Sequence, residues 1–264
     1  MVERQHYYGR LVFDHDTIVR AALRAYVERM LAHLDPDPIN RLRFTSSWSA
    51  KWDGDIQRGA FYNEDGSGNY EVVAWTEAGV VGLACDLGCG SIEQLGLEID
   101  EVTGGPDDVR GAVPDLPAEL EPAFLMAVDM LEVGAEHGEK QAGIGFWLHG
   151  DRVGGSFFHF TDPTRAWGAK RLAAWGKLQD GRLSVWWDRG HVASAAEAAQ
   201  TVAAPIHTII DAVTARALNG PTELTTDELA TLLPTAPDPK RLIYAQRGLQ
   251  KVGITWPGSP EIPD

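Results

Sequence analysis

Apolar, β-rich runs and clusters of polar turn-forming residues follow one another most consistently between Arg58 and Asp86, and this stretch predicts three antiparallel strands. Turn-forming residues at 63–69 (NEDGSGN) and 76–79 (TEAG) separate the three runs, because such residues accept positive φ or hydrogen-bond their own backbone. The strand positions carry residues that fit a pleated, half-buried surface, namely Val72, Val73, Trp75, Val80, Val81 and Leu83. We expect a meander at 58–86 from which a larger sheet grows.

Similar patterns predict further strands on both sides of the meander. One precedes it at 42–49, and a turn at 150–154 is expected to join two that follow it. The strands after the meander are expected near 142–149, 155–160 and 182–188.

Apolar residues at three- and four-residue spacing predict two amphipathic helices in the same part of the chain. The first begins at a side-chain cap, Asp14 or Asp16, and ends near Leu34, where the sequence DPDP stops it because proline cannot continue a helix. The second covers 117–133. The segment before it, 103–117, is rich in Gly, Pro and Asp and predicts a loop.

From Ala193 onward the pattern is that of helices alone. Breaks are expected at Pro205, at Gly220-Pro221 and at 234–239, and Thr225 or Thr226 is expected to cap the third helix. The four predicted helices cover 193–202, 206–218, 226–233 and 238–252.

Strands that come first and helices that come last indicate an α+β fold, with an antiparallel sheet packed with helices. We expect an α+β domain at 1–192 and a helical C-terminal region at 193–264 packed on it. The 264 residues contain two cysteines, which argues against a disulfide scaffold. Neither an 18-residue apolar run nor a secretory signal is present, so we expect a cytoplasmic protein without membrane contact.

Negative charge is concentrated in one segment. The net charge is −15, and residues 93–139 contain 13 carboxylates and one base, which leaves −3 for the rest of the chain. Such a field repels nucleic acid and attracts basic partners, although an acidic surface also serves solubility alone. The residues that we expect to contact a basic protein partner are Glu98, Asp100, Glu101, Asp107 and Asp108.

A second candidate site surrounds the predicted turn at 150–154. Two histidines and two carboxylates in this arrangement could hold a metal or transfer protons, although their spacing matches no known signature. The alternative is a packed histidine, since His159 lies between two phenylalanines. The four residues are His149, Asp151, His159 and Asp162.

Other motifs of catalysis are absent from the sequence. It contains no G-x-S-x-G, no Walker loop, no G-x-G-x-x-G and no H-E-x-x-H. Cys85 and Cys89 are spaced C-x₃-C without a second ligand pair, so neither zinc nor a redox role is indicated. We expect no cofactor.

Three stretches resemble uncharacterised bacterial proteins of the toxin–immunity type. They cover about a quarter of the chain: GSGNYEVVAWTEAGVVGLACD at 66–86, LPAELEPAF at 116–124, and the tail at 224–257. In that group the strand after the turn often ends in an aspartate–histidine pair, whereas Asp86 is followed here by Leu87. The resemblance implies a small cytoplasmic partner-binding protein and brings no active site.

The sequence therefore predicts a non-enzymatic bacterial binding protein, an immunity protein that neutralises a basic toxin through its acidic surface. The alternative is a metal-assisted hydrolase that uses the residues at 149–162. The pattern does not determine the oligomeric state.

Overall fold

The computed structural model describes residues 2–6, 9–32, 48–52, 56–64, 70–85, 107–134, 142, 144–158, 193–233 and 238–259. They form two compact units, and helix α1 (His15–Ala32) contributes to both. The first unit contains the described residues up to Ala22 and from Trp48 to Phe158, and the second contains Leu23–Ala32 and those from Ala193 onward. The predicted domain boundary at residue 192 lies outside the described residues, so that division stays a prediction.

A six-stranded antiparallel sheet forms the first unit, and its strands pair in the order in which they follow along the chain. The predicted meander lies at its centre, which confirms the α+β fold. An N-terminal hairpin, which the sequence pattern does not predict, consists of β1 (Val2–His6) and β2 (Gly9–Phe13). The strands of the sheet are β3 (Trp48–Trp52), β4 (Gly59–Glu64), β5 (Tyr70–Thr76), β6 (Gly79–Cys85), β7 (Ile144–His149) and β8 (Arg152–Gly154).

Helix α2 (Glu121–Gly134) packs on one face of this sheet and confirms the helix predicted at 117–133. A 3₁₀ turn at Ala118–Leu120 leads into it, and a helical turn at Asp107–Arg110 lies within the segment that was predicted as a loop. The core between helix and sheet includes Tyr62, Val72, Val81, Leu83, Phe124, Val128 and Leu131.

The opposite face of the sheet is buried as well. Phe61, Trp75 and Phe146 are each fully buried there, and the indole nitrogen of Trp75 donates to the carbonyl of Ile56 at 2.9 Å. Six consecutive residues of β5 are buried for this reason. A strand that is covered on both faces is apolar throughout, and the run VVAW in the sequence matches this position.

Cross-strand pairs in the sheet combine a glycine with an aromatic residue. Gly59 pairs with Trp75, Gly82 pairs with Phe146, and Trp147 pairs with Gly154. A Cβ atom placed on any of these glycines would meet the ring of its partner closer than ordinary van der Waals contact. The missing side chain therefore provides the space in which the facing ring lies.

The strand predicted at 155–160 is wrong over its described part. Strand β8 ends at Gly154, Gly155 has a φ of +108°, and Ser156–Phe158 form a 3₁₀ turn. The hydroxyl of Ser156 donates to the carbonyl of Ala112 at 2.7 Å and accepts from the backbone N–H of Gly145 at 3.0 Å. These bonds hold the chain in a turn. Residues 159–160 and the predicted strand at 182–188 lie outside the described residues.

In the second unit, the C-terminal residues form helices as predicted, but one predicted break is wrong and a short pair of strands was not predicted. The break predicted at Pro205 is wrong, because α3 (Ala193–Ala217) continues through this proline. Thr225 caps the following helix in a capping box with Glu228, and Asp238 caps the last one. The remaining elements are β9 (Thr222–Glu223), α4 (Thr226–Leu232), α5 (Pro239–Gln250) and β10 (Ile254–Thr255), with β9 and β10 paired in parallel.

Candidate functional site

The acidic segment is anchored to the sheet through α2, which gives its surface a rigid support. One side of this helix is fully buried through Ala123, Phe124 and Ala127. Of the five residues predicted to contact a partner, Asp107 and Asp108 begin the helical turn that precedes α2. Glu98, Asp100 and Glu101 lie outside the described residues, so the structure does not test whether the five form one surface.

The described carboxylates of this segment lie at the surface. Asp115, Glu119 and Asp129 are exposed, and Asp115 adopts a φ of +55° in the turn that leads to α2. Asp129 pairs with Lys51 of β3 at 2.9 Å, with both side chains more than half exposed. Such an exposed pair stabilises little and leaves both groups open to solvent and to other charges.

Arg110, the single base of the segment, is engaged within the protein. Its guanidinium donates to both carboxylate oxygens of Glu121, at 2.7 and 2.9 Å, and lies 4.6 Å above the ring of Phe124. The hydrogen bonds from Arg110 hold the pKa of Glu121 below its usual value. The bidentate pair and the ring contact fix the Asp107–Arg110 turn to α2. The charge of Arg110 is therefore compensated within the segment by Glu121.

The second predicted site is only half within the described residues. His149 is partly buried at the end of β7, where its Nδ1 lies 2.9 Å from the carbonyl oxygen of Ala78. Asp151 is exposed in the turn between β7 and β8. His159 and Asp162 lie outside the described residues. Because a carbonyl only accepts, Nδ1 of His149 carries the proton in this contact and Nε2 is the other ring nitrogen.

The sequence did not indicate that a second histidine approaches the same turn of the sheet. The turn between β5 and β6 receives His15 Nε2 on the carbonyl of Thr76 and His149 Nδ1 on the carbonyl of Ala78, each at 2.9 Å. Its Glu77 accepts from Arg58 Nε at 3.0 Å. His15, Arg58 and His149 are separated by more than 40 residues from one another, and no local pattern links residues at such distances.

A further charged cluster, also absent from the predictions, lies within the second unit. Arg24 is 5% exposed and donates to Asp211 at 2.6 Å and to Glu28 at 2.8 Å. Its second terminal nitrogen lies 3.3 Å from Nδ1 of His207. This arrangement satisfies a buried guanidinium and links α1 to α3, and we regard it as a structural cluster.

Within the ranges that the structure describes, no three His, Cys, Asp or Glu residues are grouped so that they could hold a metal ion. The described helices include none long and apolar enough to cross a membrane. The geometry therefore leaves two features of functional interest: the exposed acids around α2 and the histidines at the β5–β6 turn.

No known protein family, no curated protein and no solved structure matches this chain.

Proposed function

We propose that this protein is a non-enzymatic bacterial binding protein whose acidic segment binds a basic protein partner. One observation carries the proposal: exposed carboxylates stand on α2 and on the turns that lead to it, the other side of α2 is buried against the sheet, and the only base of the segment is engaged by Glu121. A surface of this kind has its position and its charge in place before the partner binds. This preorganisation of position and charge lowers the entropy that is lost on binding.

The carboxylates act mainly on the rate of association. A segment that carries −12 over residues 93–139 attracts a basic protein over roughly 10 Å at an ionic strength of about 0.1 M. Charge complementarity can raise the association rate constant by one or more orders of magnitude, and added salt removes the gain. The more specific proposal is that the partner is a toxic enzyme of the same cytoplasm, which the protein neutralises by covering its active site.

The test begins with capture of basic proteins from native lysate at low salt and identification of one that binds in a 1:1 ratio. Its association rate is then measured with a variant in which lysine replaces five carboxylates, namely Glu98, Asp100, Glu101, Asp107 and Asp108. We expect a fall of about tenfold or more at low salt, and little change at high salt. Inhibition of the partner's enzymatic activity by the wild-type protein tests the immunity role.

A control with reversed charges elsewhere separates local from general effects. Glu223→Lys and Asp227→Lys reverse two exposed acids of the second unit and are compared with Asp107→Lys and Asp108→Lys. Only the second pair should slow association strongly. If both pairs have the same effect, or neither has any, the partner does not bind at the acidic segment.

One contact supports a second candidate, the metal-assisted hydrolase. The carbonyl of Ala78 orients the ring of His149 through Nδ1, and second-shell bonds of this kind commonly position a histidine whose Nε2 ligates a metal. Asp151, His159 and Asp162 would supply the other ligands. This candidate predicts about one bound transition-metal ion per chain, measured by elemental mass spectrometry, and its loss in His149→Gln. A metal-free protein that does not take up added zinc contradicts it.

A further inference from the structure

Helix α5 carries a concentration of positive charge in a chain that is otherwise strongly acidic. Residues 239–259 contain four bases and no acid, whereas the rest of the chain has 19 bases and 38 acids. Three of these bases and a tyrosine follow one another at helical spacing on the exposed side. The basic face of α5 is defined here as Lys240, Ile243, Tyr244, Arg247 and Lys251, all of which are exposed.

The centre of this face is apolar. Ile243 is 45% exposed and Tyr244 is 51% exposed, although both are large side chains that usually avoid water. The inner side of α5 is buried through Ala245, Gln246, Gly248 and Leu249. Gly248 approaches Met30 of α1 so closely that no side chain fits between the two helices. Ile243 and Tyr244 therefore keep about half of their surface in contact with solvent, and with the cations around them they have the make-up of a protein-binding surface.

An opposite surface is present on α2. Leu125 is 46% exposed on its outer side, four residues after Glu121 and four before Asp129, which pair with Arg110 and Lys51. The acidic face of α2 is defined here as Glu119 of the turn before the helix and Pro122, Leu125 and Asp129 of α2, all of which are exposed. Leu125, Ile243 and Tyr244 are the large hydrophobic residues that stand out as exposed within the described part of the chain. One contact between the two faces would cover all three.

We propose that the basic face of α5 in one copy docks on the acidic face of α2 in a second copy. Charge complementarity carries this choice of partner, because the same chain holds both an apolar centre with cations and an apolar centre with carboxylates. The two surfaces differ, so the contact either forms twice across a twofold axis in an isologous dimer or repeats head to tail from copy to copy. This self-association goes beyond the proposed function, since it uses α5 and needs no foreign partner.

The test measures the mass of purified full-length protein by sedimentation velocity over a wide range of concentration, at low and at high salt. We expect the average mass to rise with concentration at low salt and to fall when salt is added. Ile243→Asp disrupts the basic face and Leu125→Lys disrupts the acidic face. Each variant alone should weaken self-association by about tenfold or more, as expected for a residue at the centre of an interface.

A mixture of the two variants gives the sharpest result. Ile243→Asp keeps an intact acidic face and Leu125→Lys keeps an intact basic face, so equal amounts should form a 1:1 pair that does not grow further. Arg20→Glu and Ala215→Lys change charge at exposed helical positions outside both faces and should associate like the wild type. Circular dichroism spectra confirm that the variants are folded.

Three results overturn the proposal. They are a wild-type protein that remains monomeric at all concentrations, variants that associate as the wild type does, and a mixture that forms no pair. A wild-type protein that stays monomeric yet binds a glutamate-rich peptide through α5 identifies a foreign acidic partner instead of a second copy. Because no basic protein is present, none of these results bears on partner binding at residues 98–108.

Discussion

The pairing of Gly82 with Phe146 allows the contribution of a missing side chain to be measured. A Cβ atom on Gly82 would lie 2.8 Å from both Cδ1 and Cζ of the ring, and closer still to Cε1. Carbon atoms pack at about 3.5 Å or more, so the ring would have to withdraw by at least about 0.7 Å. Phe146 is fully buried and packs edge-on against Phe157, also fully buried, so it has no free space to enter.

Gly82→Ala is therefore expected to lower the free energy of unfolding. Overpacking of a core costs about 1–3 kcal/mol, and the gain from a less flexible unfolded chain offsets only about 0.4–1 kcal/mol of it. We expect a net loss of about 1–2 kcal/mol. Phe146→Leu removes the ring atoms that clash, so the same Gly82→Ala change in that background should cost almost nothing. The two substitutions should therefore couple favourably by about 1–2 kcal/mol.

Urea unfolding followed by tryptophan fluorescence measures the four free energies of this cycle. Gly59→Ala is the matched control, because its Cβ would meet the backbone oxygen of Lys51 and the ring of Trp75, which Phe146→Leu leaves in place. Its cost should be the same in both backgrounds. An equal cost of Gly82→Ala with and without the Phe146 ring would refute the idea that the glycine makes room for that ring.

Three further predictions concern the second unit. Burial, with a smaller effect of Tyr244, raises the pKa of Tyr26, so its contribution to stability is complete below the unfolded pKa of about 10 and is lost at higher pH. Tyr26→Phe should therefore reduce the loss of stability at alkaline pH, as measured by thermal unfolding. At neutral pH the substitution should cost about 1 kcal/mol, because it removes the hydrogen bond to the Gly248 carbonyl. Burial acts to raise the pKa of Glu228, but the hydrogen bonds from Arg216 and Thr225 outweigh this effect and lower that pKa. The contribution of Glu228 to stability is therefore present above the ordinary pKa of 4.5 and is lost as the pH falls. Glu228→Gln should lower the free energy of unfolding by about 1 kcal/mol at pH 7 and by less in acid, which chemical unfolding at the two pH values measures. Pro205→Ala restores a missing helical N–H at an exposed position and should raise the melting temperature of the protein. An unchanged or lower melting temperature would show that Pro205 does not destabilise α3.

The sequence predicted those parts of the fold that depend on local pattern. The meander at 58–86 was found because two groups of turn residues separate three β-rich runs, and the structure places β4, β5 and β6 there. The cap of α1 was narrowed to two aspartates, and the structure selects Asp14, whose carboxylate accepts from the N–H of Thr17. Thr225 was likewise one of two candidates, and its capping box with Glu228 decides between them.

The errors arose where tertiary contacts override a local rule. Phe157 and Phe158 favour a strand, but Ser156 bonds to Ala112 more than 40 residues away and turns the chain. Pro205 breaks a helix in isolation, whereas α3 continues and packs its later residues Ile210, Val213 and Ala217 in the core. Packing of an amphipathic face provides most of a helix's stability, so one missing hydrogen bond does not end it.

The candidate sites were less predictable than the fold for a related reason. The acidic segment could be found by counting charges, and three of its acids, Asp115, Glu119 and Asp129, are exposed in the structure. His149 could be named as a candidate, but no local pattern indicated that His15 would reach the same turn. Contacts of this kind depend on how strands and helices are placed in three dimensions. The identity of a single residue does not show where its element will lie.

The short parallel pairing of β9 with β10 has a consequence for a broken chain. The N–H of Thr222 bonds to the carbonyl of Gly253 and that of Leu224 to Thr255, while Leu224 and Ile254 are fully buried beside them. The two ends of the segment that contains α4 and α5 are thereby clasped to each other. A protease that cuts once between these helices should yield two fragments that migrate together under native conditions and separate only in denaturant.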